Sequence, residues 1–158
     1  MSAAKPDSAG VVVLPPVVFA LCLIGGLAAT FAYGGWITIV PWPMRWAAGL
    51  LVMLTGCVFG AWGIDRFRRH KVDVRPNQPV SQLITGGAYR FTRNPMYVGL
   101  VAFLTGLGLF LGSFPLLIGA LVMFLYLDRY VIPREEAYLT RTFGEAYRTL
   151  CAKVRRWL

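Results

Sequence analysis

Residues 94–127 read NPMYVGLVAFLTGLGLFLGSFPLLIGALVMFLYL and contain no charged side chain. That is too long an apolar run for one membrane helix, which needs about 20 residues. Near its middle, Gly112-Ser113-Phe114-Pro115 supplies the glycine that ends one helix and the proline that opens another. The run therefore predicts two spans, about 95–112 and 114–132, joined by a very tight turn. Its start is set by Asn94-Pro95. Pro95 disfavours an α conformation at Asn94 and suits the first helical position, which makes Asn94 a good N-cap.

The same pattern lies upstream. Residues 9–44 hold no charge, and Pro15 to about Tyr33 predicts a first span. Gly34-Gly35 and Pro41-Trp42-Pro43 punctuate a turn, beside which Trp36, Trp42 and Trp46 suit a membrane interface. A second span follows over about 45–64, ending at Asp65 and the basic run Arg66-Phe67-Arg68-Arg69-His70-Lys71. Lys5 precedes a long apolar run without a cleavage-site pattern, so the first span is expected to be retained. With 57% hydrophobic residues over 158 positions and a mean hydropathy of +0.60, the chain is expected to be an all-α polytopic membrane protein of one domain, 1–158.

Of the 16 Lys and Arg residues, 14 lie in segments 65–93 and 128–158. A net charge of +9 can signal nucleic acid, but here the bases flank apolar spans, so topology and anionic lipid headgroups explain them and no nucleic-acid partner is expected. The positive-inside rule puts both basic segments, and with an even number of spans both termini, in the cytoplasm. The expected architecture is four transmembrane helices, a long cytoplasmic loop over 65–94, and a C-terminal cytoplasmic amphipathic helix over 133–154 with Tyr138, Leu139, Thr142, Phe143, Ala146 and Leu150 near one face. Cys22, Cys57 and Cys151 show no metal-ligand spacing, and the lone His70 reads as headgroup-facing, so no metal is expected.

Several polar residues sit where the spans end. Asn94 either caps a helix or helps bind an anion at its positive end. Ile132-Pro133 repeats the Asn94-Pro95 logic, with Glu135 and Glu136 in the first turn of the expected terminal helix. These acids either complement the helix dipole or hold a cationic ligand group. Arg129 and Arg134 either snorkel or hold an anion. Gly99, Gly106, Gly108 and Gly112 either let helices pack closely or open room for a flat ligand. A cluster of mixed sign suits a zwitterion whose amine meets Glu and whose carboxylate meets N–H groups.

Gly87-Ala88-Tyr89-Arg90-Phe91-Thr92-Arg93-Asn94-Pro95-Met96-Tyr97-Val98-Gly99 resembles the G-x-Y-x-x-x-R-H-P-x-Y-x-G motif of the isoprenylcysteine carboxyl methyltransferases. Glu135-Glu136, Phe143-Gly144-Glu145-Ala146-Tyr147 and Val154-Arg155-Arg156-Trp157 resemble that family's C-terminal signature. The related phosphatidylethanolamine N-methyltransferases share the pattern, and Asn-Pro-Met-Tyr, Gly106-Leu107-Gly108 and Glu135-Glu136 look closer to their version. The resemblance covers about residues 75–158. It departs at Asn94, where the isoprenylcysteine enzymes have histidine, and near Val131, where their substrate-binding arginine would fall.

The resemblance implies S-adenosylmethionine as cofactor, bound on the cytoplasmic side. By position, Gln82, Leu83, Ile84 and Tyr89 would line it, Asn94, Pro95, Met96 and Tyr97 would cradle it with Gly106 and Gly108, and Glu135 would take its α-amino group. Arg129 or Arg134 would stand in for the substrate-binding arginine, and Tyr97 or Glu136 would accept a proton from an amine. The function implied is methyl transfer, in a bacterial inner membrane, to a lipid, foremost phosphatidylethanolamine or its methylated forms. Carboxyl or thiol methylation of an isoprenylcysteine-like or small hydrophobic substrate stays open, as does a non-catalytic membrane subunit of the same fold.

Overall fold

The computed structural model describes residues 9–69 and 82–158. Lys5, His70, Lys71, the Arg75–Pro79 run and Ser81 lie outside them. The described chain is helical: α1 Pro15–Tyr33, α2 Trp42–Arg69, a 3₁₀ turn Gly87–Arg90, α3 Pro95–Leu111, α4 Phe114–Tyr126, a π turn Leu127–Val131, α5 Ile132–Phe143 and α6 Glu145–Lys153. Among the described residues, three helices are long and apolar enough to cross a membrane: α1, α2 and the continuous rod Phe114–Phe143. The apolar α3 is shorter, at 17 residues. Leu21 and Leu51 are 66% and 68% exposed, an arrangement that suits lipid rather than water.

Helix α2 begins at Trp42 and runs through the basic segment to Arg69. Arg66, Arg68 and Arg69 sit in its last turn, where cations complement the helix dipole, and Arg69 pairs with Asp65 at 2.7 Å.

Glycines bring α2 and α3 together backbone to backbone. Gly49, Gly56 and Gly63 recur every seven residues on α2, and Gly99 and Gly106 do so on α3, a period that keeps one seam facing a partner helix. A Cβ on Gly106 would lie 2.5 Å from the Met53 nitrogen and 2.7 Å from the Gly49 oxygen. Gly108 faces Leu117 of α4 at 2.7 Å in the same sense. Close packing is therefore the role the structure gives these glycines.

Gly112, at φ 66°, ends α3, and Ser113 caps α4 by accepting from the Leu116 nitrogen at 3.2 Å. The expected tight turn is thus two residues long. Buried Thr30 donates to Gly26 O, so Ser113 Oγ donates to Thr30 Oγ1 at 2.5 Å, fixing α1 to the turn. The α1–α2 connection docks there too, through Ile37 N to Gly112 O at 2.6 Å and Phe114 N to Gly35 O at 3.0 Å.

The expected break at Ile132-Pro133 is absent. The helix passes through Pro133 because the π turn widens before it, with Ile132 N bonding Leu127 O five residues back. That spacing relieves the clash between a proline ring and the carbonyl four residues earlier. Glu135 and Glu136 consequently sit inside a continuous helix, not at a free N-terminus. The break falls at Gly144, φ 54°, which splits the expected 133–154 helix into α5 and α6. The core around this rod comprises Leu104, Met123, Leu127, Val131, Ile132 and Tyr138, covered by Ala9 and Val11.

Candidate functional site

The last turns of α2 form a bed for the segment that follows residue 81. Tyr89 packs on Phe67 with ring centroids 5.7 Å apart, over buried Ile84. The 3₁₀ turn reaches this bed because Gly87, φ 66°, passes against Arg66 and Trp62; a Cβ there would lie 3.0 Å from Trp62 Nε1 and nearer still to Arg66 Nε. Pro95 then opens α3 and points Tyr97 across to α5.

These elements enclose a cavity of about 110 Å³. Its walls are Phe67, Gln82, Leu83, Ile84 and Tyr89 from α2 and the segment after residue 81, Arg93, Asn94, Met96 and Tyr97 from the start of α3, Glu135, Glu136, Tyr138 and Leu139 from α5, with Tyr147, Leu150 and Ala9 completing it. The volume is below the ~300–1,000 Å³ of a site enclosing a drug-sized ligand, so a ligand of nucleoside size would seat only part of itself there.

The two acids differ in state. Tyr97 Oη donates to Glu135 Oε1 at 2.6 Å, and no cation pairs with Glu135 among the described residues. Glu136 is saturated: Arg93 Nη1 lies 3.0 Å from Oε1, Arg156 Nε 3.2 Å from Oε1, and Arg156 Nη2 2.6 Å from Oε2. Arg156 Nη1 also meets Asp128 Oδ1 at 3.2 Å, and Trp157 Nε1 donates to the same oxygen at 2.9 Å. Arg93 and Arg156 thus serve Glu136, Arg156 and Arg129 serve Asp128, and Glu135 is left without a cation among the described residues. Glu136 was expected as a proton acceptor; its oxygens are instead taken by guanidinium donors.

Arg93 Nη1 further reaches Cys151 Sγ at 2.6 Å and Tyr147 Oη at 3.5 Å, while its Nε is buried without a partner beside the cavity. Burial, and secondarily the Glu135 carboxylate, raises the Tyr89 pKa. Burial first, then Cys151 and Glu136, raises that of Tyr147. Both phenols stay protonated at neutral pH.

Asn94 does not cap α3 with its side chain. Its Nδ2 donates to Arg156 O at 3.0 Å, Thr92 Oγ1 donates to the same carbonyl at 2.8 Å, and Arg93 N donates to Arg155 O at 2.9 Å. The three residues before α3 thereby hold the C-terminal segment against the site.

Of the expected residues, Gln82, Leu83, Ile84, Tyr89, Asn94, Met96, Tyr97, Glu135 and Glu136 meet at one cavity. Pro95, Gly106 and Gly108 do not line it; Pro95 packs on Gly63 and the glycines serve helix contacts. Arg129 and Arg134 do not line it either. Arg129 is 80% exposed beside Asp128, and Arg134 stacks 3.8 Å over the Tyr130 ring while donating to Tyr130 O. Arg93, Asp128 and Arg156 were assigned no role from sequence. Arg93 and Arg156 lay inside the two motifs, which was the available signal; Asp128 carried none.

The pattern of the family described as phospholipid methyltransferase matches residues 44–146. An uncharacterized protein of Haemophilus influenzae is 40% identical over 63 residues, 40% of this chain and the whole of that protein. The protein-S-isoprenylcysteine O-methyltransferase of Schizosaccharomyces pombe is 37% identical over 73 residues, 46% of this chain and 30% of that enzyme. The match thus spans under a third of the yeast enzyme.

Proposed function

This chain belongs to the phospholipid methyltransferase family, and on that premise we propose that it transfers a methyl group from S-adenosylmethionine to a membrane lipid, foremost phosphatidylethanolamine or its methylated forms. The observation that carries the proposal is the Glu135 carboxyl, held by Tyr97 and without a cation among the described residues, in an aromatic and apolar cavity. Such a group calls for a cationic ligand, because a desolvated carboxylate is costly unless paired. The α-amino group of S-adenosylmethionine meets that need, so the residues present fit this cofactor.

Glu135 holds the amino group, and Tyr97 fixes the carboxylate that does so. Gln82, Leu83, Ile84, Tyr89 and Met96 form the wall against the cofactor and exclude water. The cofactor supplies an electrophilic methyl on a sulfonium. The protein's task is to align a nucleophile with that methyl. An amine nucleophile attacks only in its neutral form, and Tyr97 Oη, its own proton directed at Glu135 Oε1, would accept a hydrogen bond from that amine. The apolar helices suit an acceptor whose chains lie in the bilayer, and the basic segments support a cavity facing the cytoplasm.

A carboxylate acceptor is less well supported. Among the described residues, the one guanidinium lining the cavity is that of Arg93, already engaged by Glu136, and Arg129 and Arg134 lie elsewhere. The test is expression in a host lacking methylated phosphatidylethanolamine, followed by lipid mass spectrometry. Mono-, di- or trimethylated product is expected. Its absence, with intact S-adenosylmethionine binding by the purified protein, would redirect the search to another acceptor. Absence of binding as well would leave a non-catalytic membrane subunit.

A further inference from the structure

At the end of the bundle away from the cavity, Arg45 is the single charged residue in segments 9–64 and 94–127. Counting from Phe67 along α2, it lies about 33 Å from the cavity. No carboxylate in those segments can neutralise it, and it makes no ion pair among the described residues. Its Nη1 donates to Ile37 O at 2.6 Å, and its guanidinium packs against Gly112, where a Cβ would collide with it. Nε is buried with no partner, and no described residue bonds Nη2.

Aromatic rings mark the depth. Trp42 and Trp46 meet edge to face at 4.8 Å, Trp46 stacks on Phe110 at 5.6 Å, and Phe31 and Trp36 meet at 5.8 Å. Trp36, Trp42 and Trp46 stay about half exposed, as indoles do at a headgroup layer. Arg45 also lies in the first turn of α2, whose positive dipole end adds to its charge.

We propose that Arg45, set within this tryptophan belt, binds the phosphodiester of a phospholipid in the leaflet opposite the cavity. The loop carbonyl of Ile37 and the space left by Gly112 hold the guanidinium in place, so a lipid phosphate meets a fixed Nη2 rather than a mobile side chain. The site ties the α1–α2 connection and the α3–α4 turn to the bilayer, and it does not depend on the methyl-transfer reading.

The experiment uses the full chain in neutral detergent, with dioleoylphosphatidylcholine, dioleoylglycerol or inorganic phosphate added, and reads Tm. Phosphatidylcholine is expected to raise the Tm of wild type by a few degrees and that of R45Q by much less, while R141Q on α5 keeps the wild-type increment. An equal increment in R45Q would reduce Arg45 to a loop clamp and overturn the proposal. An equal effect from dioleoylglycerol would assign the increment to acyl chains, and an equal effect from inorganic phosphate would assign the site to a free anion; either overturns it. Should R45Q not fold, ¹³C–³¹P dephasing of arginine Cζ in phosphatidylcholine bilayers decides, with R45K as the assignment blank. Dephasing of the Arg45 signal is expected, and its absence overturns the proposal.

Discussion

Tyr97 and Glu135 lie 38 residues apart in the chain, yet the phenol of one donates to the carboxylate of the other at 2.6 Å. The bond joins the first turn of α3 to the interior of the Phe114–Phe143 rod. It orients the acid of the site that lacks a cation among the described residues.

Glu135→Gln removes the charge while keeping the shape. A charge-assisted bond contributes about 1.5–3 kcal/mol, so S-adenosylmethionine affinity should fall roughly 10- to 150-fold. Tyr97→Phe should cost about 10-fold, by the same arithmetic for one oriented bond. Radioligand binding to purified protein checks both, and unchanged affinity in Glu135→Gln would remove Glu135 from the cofactor site.

Glu136→Gln should act on stability instead. It leaves Arg93 and Arg156 facing each other without their shared acid, at a site where the Glu136 side chain is 21% exposed. The expected loss is about 1–3 kcal/mol, below that of a fully buried pair because water still reaches it. Denaturation of Glu136→Gln, Arg156→Gln and the double variant should show non-additive losses; simple additivity would argue against a coupled network.

Pro133→Ala tests the π turn. Without the ring, the rod can relax from five-residue to four-residue bonding, and closing the bulge in this way rotates everything beyond it by about 100°. Binding should then fall at least about 10-fold through loss of the Tyr97–Glu135 alignment, while Tm holds or rises. A variant that binds normally would show that the π turn does not set the site's register.

Gly106→Leu should prevent α2 and α3 from meeting, because the side chain would enter the Met53 and Gly49 backbone. Gly60→Ala should be tolerated, since its Cβ would stand 3.5 Å from Gly99 Cα, an ordinary contact. Thermal unfolding in detergent separates the two; equal stability would contradict backbone-to-backbone packing.

The raised pKa values of Tyr89 and Tyr147 give an alkaline limit. Each phenol keeps its proton in the fold beyond the ordinary 10.0. Above that pH the unfolded chain binds fewer protons than the folded one, so stability falls as pH rises. Unfolding midpoints should be flat below about pH 10 for these two groups and decline above it, and the decline should shrink in Tyr89→Phe.

Much of the fold was legible because helix starts, stops and hydrophobic length are local properties. Asn94-Pro95 and Gly112-Ser113 mark their boundaries through the backbone chemistry of proline and glycine alone, and α1 coincides with its expected limits. Pro133 was read by the same local rule, but the π turn absorbs it while the rod stays packed against Val11 and Leu104. Gly144 was passed over because apolar residues on both sides kept a helical period.

The sequence by itself determined a helical membrane chain with polar motifs where its spans end, and it grouped the residues that meet at the cavity. Only the tertiary structure decided which charges cancel. Nothing local distinguishes Glu135 from Glu136, adjacent in one helix. The difference arises because Arg93 and Arg156 arrive from separate segments, one before α3 and one after α6, and both reach Glu136. Pairing of charges depends on distances between remote segments, and those exist only once the helices have packed.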